Sequence, residues 1–108
     1  RDITACTPFQ SRLLLYIQKL MNLTFDPAKD VLNRLKHGVS LGEAEAFEWE
    51  TALVREDRRH DYGEQRFEAV GYIGLRVFVF VFCVREEGLR VISLRKANRR
   101  EVVRYACT

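Results

Sequence analysis

The sequence has few of the residues that build disulfide or cofactor sites. Its three cysteines, Cys6, Cys83 and Cys107, are an odd number without CxxC spacing, and neither histidine stands at ligand spacing from another metal-binding residue. These features exclude a disulfide framework and a typical zinc site. We therefore expect a protein of the reducing cytoplasm that uses neither a metal nor another cofactor.

Long apolar runs are missing as well. The longest covers residues 77–84, whereas a helix that crosses a membrane needs about 20 apolar residues. The chain has 108 residues, of which 47% are hydrophobic and 31% charged, and its net charge is +3. This composition predicts one folded, soluble domain with a modest core, and it excludes disorder, a second domain and a membrane partner.

Lysine is scarce, whereas arginine is abundant. The sequence has four lysines and 14 arginines. Arginine pairs bidentately with phosphate or carboxylate through its planar guanidinium group. The bias predicts a partner that carries phosphate or acidic groups. The phosphate-binding glycine loop, HExxH and GxSxG motifs are absent, so the enzyme classes that they mark have no support.

Four segments have apolar residues at helical spacing. Each also begins with a helix start signal, which is a capping residue, a proline in the first turn or a capping box. We predict helices over residues 8–21, 27–37, 41–49 and 99–107. The first is separated from the others, so we treat residues 1–21 as an N-terminal extension upstream of a native start near Met21. Residues 22–108 are then the working domain.

The middle of the chain has the composition of β-strands. We predict strands over residues 51–55, 65–73, 77–84 and 89–95, joined by a polar loop and two glycine-containing turns. The third strand has no polar alternation, which is typical of a strand covered on both faces. The fold class is therefore α+β, with helices packed on a four-stranded antiparallel sheet. We expect Trp49, Phe78, Phe80 and Phe82 in the core.

Arginines stand where strands begin or end. Arg85 shares a strand face with three valines, and Arg66 and Arg95 lie at strand ends, so their guanidinium groups could converge at a rim of the sheet. Such a cluster could hold a phosphodiester. The alternative is that each arginine pairs with a nearby acid, Glu64, Glu86 or Glu101, on a solvated surface.

The two histidines are the candidates for proton transfer. Lys36 and His37 end the predicted second helix, where the helix dipole favours cations whatever the function. A histidine exchanges protons near neutral pH, and a lysine stabilises a pentacovalent phosphate. His60 lies in a basic loop, where it is either an alternative acid or base or simply exposed to solvent.

A set of residues across the chain carries a family resemblance. In chain order these are Phe25-Asp26-Pro27-Ala28-Lys29, Asn33, Lys36-His37-Gly38-Val39-Ser40, Glu43-Ala44, residues 66–71, Arg90-Val91-Ile92-Ser93-Leu94-Arg95-Lys96-Ala97, Glu101 and Tyr105. With this order and spacing, residues 23–105 resemble the BrnT family of bacterial toxins. The blocks KHGVS and RVISLRKA are the most specific. Phe25 stands where the family often has tryptophan, and residues 1–21 have no counterpart in it.

The resemblance implies a RelE-like fold and the activity of a ribonuclease toxin in a type II toxin–antitoxin pair. Toxins of this fold cleave RNA without a metal, which requires a base, an acid and cations that stabilise the phosphorane. It also implies a BrnA-like ribbon-helix-helix antitoxin. The assembly expected is either a toxin homodimer or a toxin–antitoxin heterotetramer. The residues that can fill the catalytic roles are Lys36, His37, Arg66, Arg85 and Arg95, and those expected to bind RNA are Arg76, Lys96, Arg99 and Arg100.

A rival interpretation assigns the same basic residues no catalysis. In it the domain is a binding module that grips nucleic acid or an acidic partner protein. The extension carries an apolar stripe of Leu13, Leu14, Ile17 and Leu20. It could dock in a groove that the antitoxin would otherwise cover, pair two protomers, or simply be an ordinary packed N-terminal appendage.

Overall fold

One β-sheet forms the centre of the molecule. The computed structural model describes residues 22–59, 63–86 and 88–107. The strands are β1 (Leu23–Thr24), β2 (Leu53–Asp57), β3 (Arg66–Ile73), β4 (Arg76–Arg85) and β5 (Gly88–Lys96), and the helices are α1 (Pro27–His37), a 3₁₀ helix (Leu41–Ala46) and α2 (Arg99–Ala106). In the sheet order β1-β5-β4-β3-β2, only the β1–β5 pair is parallel.

The α+β class is confirmed, but the four-stranded antiparallel sheet is wrong. A fifth strand, β1, pairs in parallel with the start of β5 and makes the sheet mixed. It has only two residues, too few for any alternating pattern to mark it in the sequence. The predicted helix over residues 8–21, and the extension as a whole, lie outside the described residues.

The predicted ends of the helices hold, with one exception. Asp26 caps α1 by accepting a hydrogen bond from the Ala28 amide (2.9 Å), and Gly38 ends it with a φ of 71°. Both capping boxes form, at Ser40 and at Asn98. The helix predicted over residues 41–49, however, is a 3₁₀ helix that stops at Ala46, because Phe47 turns to an extended backbone and bridges to β3.

The aromatic core is confirmed. Trp49, Phe78, Phe80 and Phe82 are all buried in one cluster, on the sheet face against which the 3₁₀ helix packs. The register of β4 and β5 shifts between Val81 and Phe82. This irregularity brings Val91 and Leu94 into the same core, whereas strict alternation had placed them on opposite faces.

Helix α1 is attached to the sheet through polar side chains. Its buried residues are Asp30 and Asn33. The Asn33 amide nitrogen donates to the carbonyls of Leu94 (2.7 Å) and Val39 (2.9 Å), and its oxygen accepts from the Leu94 amide at 3.3 Å. Strand β1 pairs only with the first part of β5. Farther along, at Leu94, Asn33 makes hydrogen bonds to the backbone of β5 and so holds α1 along this edge of the sheet.

Replacing Asn33 with leucine is expected to lower the free energy of unfolding by about 3 kcal/mol. The substitution leaves three buried backbone groups without their partners, and each such loss costs about 1–3 kcal/mol before water compensates. Urea denaturation checks this value. Lys29→Leu on the exposed side of the same helix is the control, with an expected change within about 0.5 kcal/mol. Equal effects of the two substitutions would contradict the edge role of Asn33.

Candidate active site

The described residues place most of the predicted basic residues at one end of the sheet, where β5 ends. Arg95 lies opposite Val79, and Lys96 lies opposite Phe78, two residues from the start of β4 at Arg76. Helix α2 begins three residues after β5. We call this region the basic end; its members are Lys36, His37, Arg76, Arg95, Lys96, Arg99 and Arg100.

His37 belongs to the basic end because Asn33 aligns α1 with β5. The imidazole is half-buried. Burial lowers its pKa below the usual 6.5, and the positive charges of Lys36 and Arg95 lower it further. The imidazole is therefore neutral at physiological pH and able to accept a proton. The hydrogen bonds between Asn33 of α1 and Leu94 of β5 place His37 on the same side of the sheet as Arg95.

Arg95 is held by a carboxylate from α2. Its two terminal nitrogens donate to the two carboxylate oxygens of Glu101, at 2.8 and 2.7 Å. The hydrogen bond from Arg95 lowers the pKa of Glu101 to about 2. This bidentate geometry is the one in which a guanidinium binds a phosphate. Glu101 thus orients the guanidinium and occupies the donors that a phosphodiester would use.

A titration is expected to reveal this ion pair. Because the pKa of Glu101 is depressed in the folded state, its contribution to stability is complete above about pH 4.5 and is lost as the pH falls towards 2. We expect Glu101→Gln to be about 2 kcal/mol less stable at pH 7. The difference from the unchanged protein should vanish near pH 2 in urea denaturation. A difference independent of pH would contradict the pairing.

Arg66 and Arg85 lie at the other end of the sheet. Both approach Glu64, with Arg85 Nη2 at 3.0 Å from Oε1 and Arg66 Nε at 3.7 Å from Oε2. Arg85 is six residues farther along β4 than the position opposite Arg95, a separation of about 20 Å along the strand. The three arginines therefore do not converge. The pairing with Glu64 and Glu101 is the alternative that the sequence left open.

Helix α2 covers part of the sheet face opposite the core. None of its residues is buried. Glu101 holds Arg95, while one turn later the Tyr105 hydroxyl donates to the Thr51 carbonyl (2.6 Å) and its ring meets Tyr72 at 5.8 Å between centroids. Residues four apart lie on one helix face. Glu101 and Tyr105 therefore attach one face of α2 to the sheet.

The sequence analysis missed a second charged region. A cavity of about 310 Å³ is lined by charged residues of β2, the turn after it and β3: Arg55, Glu56, Asp57, Arg58, Arg59 and Glu68. Arg55 pairs with Glu68 at 2.8 Å, and Arg59 with Asp57 at 2.9 Å. The run of charges in residues 55–59 was the available signal, but it also fits an ordinary exposed strand end.

The remaining predictions concern His60, metal ligands, membrane-spanning helices and the cysteines. His60 lies outside the described part of the chain. Within it, no three metal-binding side chains come together, and no helix is both long and apolar enough to cross a membrane. Of the cysteines there, Cys83 is buried, Cys107 is exposed, and both are free thiols.

Comparison with known proteins gives one clear relationship. The family model of the BrnT ribonuclease toxin of type II toxin–antitoxin systems matches residues 25–101. A search among curated proteins found no match. The matched span contains α1, all strands except β1, and the start of α2, and so every member of the basic end. The chain therefore belongs to the BrnT family of ribonuclease toxins from type II toxin–antitoxin systems.

Proposed function

We propose that the protein is a metal-independent endoribonuclease of RelE-like type that acts in the cytoplasm, cleaves RNA at the basic end and thereby arrests growth. Its family supplies the ribonuclease activity and implies an antitoxin. The observation that supports the location is that Lys36, His37 and Arg95 all lie at the basic end, where the positive charges of Lys36 and Arg95 lower the pKa of His37. No other described imidazole exists that could serve as the base.

The reaction requires little beyond these three groups. His37 takes the proton of a ribose 2′-hydroxyl, whose oxygen attacks the adjacent phosphorus while the bond to the 5′ oxygen breaks. Arg95 stabilises the charge that develops on the phosphorane once the phosphate displaces Glu101 from its terminal nitrogens. The ammonium of Lys36 donates the proton with which the 5′ oxygen leaves. The products are a 2′,3′-cyclic phosphate and a free 5′-hydroxyl.

The exposed cations of the basic end bind the rest of the RNA chain. Arg76, Lys96, Arg99 and Arg100 are exposed, and none of them has an acidic partner within 4.0 Å among residues 22–59, 63–86 and 88–107. Unpaired surface cations contact phosphates without a cost for breaking an ion pair. Arg66 and Arg85 already pair with Glu64 at the other end of the sheet, so we assign them a smaller role in binding RNA.

Cleavage of RNA by the purified protein is expected to continue at an unchanged rate in excess EDTA. The reason is that the proposed base, acid and cation are all side chains. The assay compares the decay of a defined RNA with EDTA and with added Mg²⁺, using the Leu75→Ala variant as a second active preparation. A rate that collapses in EDTA and returns with Mg²⁺ would contradict metal independence.

One observation favours the rival function of a binding module without catalysis. The Arg95 guanidinium is occupied by Glu101 on both terminal nitrogens, as in a purely structural ion pair. A module of this kind would bind RNA at low salt and release it uncut. The same decay assay separates the two functions, because only the ribonuclease produces fragments with cyclic phosphate ends.

The antitoxin that we propose is a BrnA-like ribbon-helix-helix protein. Acidic and apolar side chains in its toxin-binding part would neutralise the basic end. Growth arrest by the toxin gene alone, reversed by co-expression of the adjacent antitoxin gene, is the expected result in cells.

A further inference from the structure

Helix α1 is amphipathic, but its polar side faces the sheet and its apolar side faces the solvent. Its apolar residues face outwards, with Val31 56% exposed, Leu32 63% and Leu35 79%, whereas Asp30 and Asn33 are buried. At 100° per residue these three side chains and Ala28 form one stripe on the side away from the sheet. We call it the outer stripe.

The orientation of α1 is fixed, so the outer stripe is not a consequence of loose packing. Asp30 Oδ1 accepts hydrogen bonds from the Leu41 amide (2.7 Å) and the Ser40 hydroxyl (3.2 Å). Asn33 holds β5 as described above. Rotating the helix to bury its leucines would break these bonds and expose the backbone groups that they satisfy. A contiguous apolar surface kept outside in this way marks an interaction site.

The charges beside the outer stripe indicate the kind of partner. Lys29 and Lys36 lie along one border of it, and both are exposed. Arg34 lies on the other side, where it pairs with the buried Asp30 at 3.1 Å. That aspartate is the only acid of α1, so the outward side of the helix carries positive charge alone.

We propose that the outer stripe is the docking site for an acidic, amphipathic segment of the antitoxin, an inference that rests on the proposed function. Leucine or isoleucine side chains of that segment pack on Leu32 and Leu35, as in other helix-binding surfaces. Its aspartates or glutamates pair with Lys29 and Lys36. Because Lys36 is also the proposed acid, its pairing with the docked segment withdraws it from the RNA, although His37 itself lies on the opposite face of the helix.

The test uses the full-length toxin and, as the probe, the antitoxin encoded beside it. We expect Leu35→Ala to weaken binding in calorimetry at least tenfold, because an apolar anchor at the centre of an interface is lost. Val84→Ala is the control for affinity: Val84 is 40% exposed next to Arg85, at the end of the sheet opposite the basic end, and its replacement should leave affinity within twofold. Lys29→Glu should also weaken binding, with a shallower salt dependence.

Measurements on the free toxin separate this proposal from others. Leu35→Ala should cleave RNA at the unchanged rate but require more antitoxin for inhibition. Unchanged affinity for antitoxin would overturn the proposal, as would a toxin dimer that Leu35→Ala dissociates while antitoxin affinity stays the same. A melting temperature lowered by Leu35→Ala but not by Leu75→Ala would show that the chain itself covers the stripe, and would also overturn it. A toxin that binds antitoxin as expected but never cuts RNA would instead refute the proposed function.

Discussion

Replacing His37 with glutamine is expected to slow RNA cleavage about 10²–10⁴-fold, the usual contribution of a positioned acid or base. Glutamine keeps the size and polarity of the side chain but accepts no proton. RNA affinity should be nearly unchanged, since His37 is uncharged when it acts. Single-turnover decay of a labelled RNA gives the rate, and filter binding gives the affinity.

The pH profile provides a second measure of the same group. Because the pKa of His37 lies below 6.5, the cleavage rate should rise with pH up to that lowered pKa and then level off. Lys36→Gln removes one of the charges that depress it. In that variant the pH at which the cleavage rate levels off should therefore be higher, in addition to any loss of rate. If that pH is unchanged, a group other than His37 titrates.

The control is the other histidine. His60→Gln removes an imidazole from a part of the chain that the structure does not describe, and it is expected to leave the rate within about threefold. If His60→Gln abolishes cleavage while His37→Gln is active, the base is in the polar loop and the basic end only binds RNA.

Replacing Phe80 with alanine is expected to lower the free energy of unfolding by about 3–5 kcal/mol. Phe80 is fully buried, and its ring meets those of Phe47, Trp49 and Phe82 at centroid distances of 5.3, 5.6 and 5.0 Å. A loss of this size is a large fraction of the about 5–15 kcal/mol that stabilises a small domain.

Urea denaturation by far-UV circular dichroism is the measurement for the Phe80 variant. Leu75→Ala serves again as the control, because an exposed side chain costs little when it is truncated. A loss below about 1 kcal/mol for Phe80→Ala would show that the aromatic cluster is not the centre of the core.

Local sequence signals predicted α1, α2 and the antiparallel strands well. Asp26 and Gly38 mark the ends of α1 because their chemistry acts within one turn. The same signals say nothing about tertiary placement. The spacing of Val31, Leu32 and Leu35 identified a helix, but an apolar stripe is equally regular whether it faces the core or the solvent, and here it faces the solvent.

The candidate site was predictable in part. That Lys36 and His37 end a helix follows from Gly38, whereas their meeting with Arg95 depends on Asn33 binding β5, 61 residues away along the chain. The separation of Arg95 from Arg85 could have been foreseen. Consecutive strands of an antiparallel meander end at opposite sides of the sheet, so residues near the ends of β4 and β5 cannot be neighbours.

The edge contact of Asn33 has a consequence for the newly made protein. Proteins are synthesised from the N-terminus, and both β1 and Asn33 bind β5, the C-terminal strand among the described residues. Arg95 and the helix that carries His37 therefore stay apart until β5 has left the ribosome. A partial translation product that ends before β5 lacks the proposed centre, and we expect that it cannot attack the messenger from which it is being made.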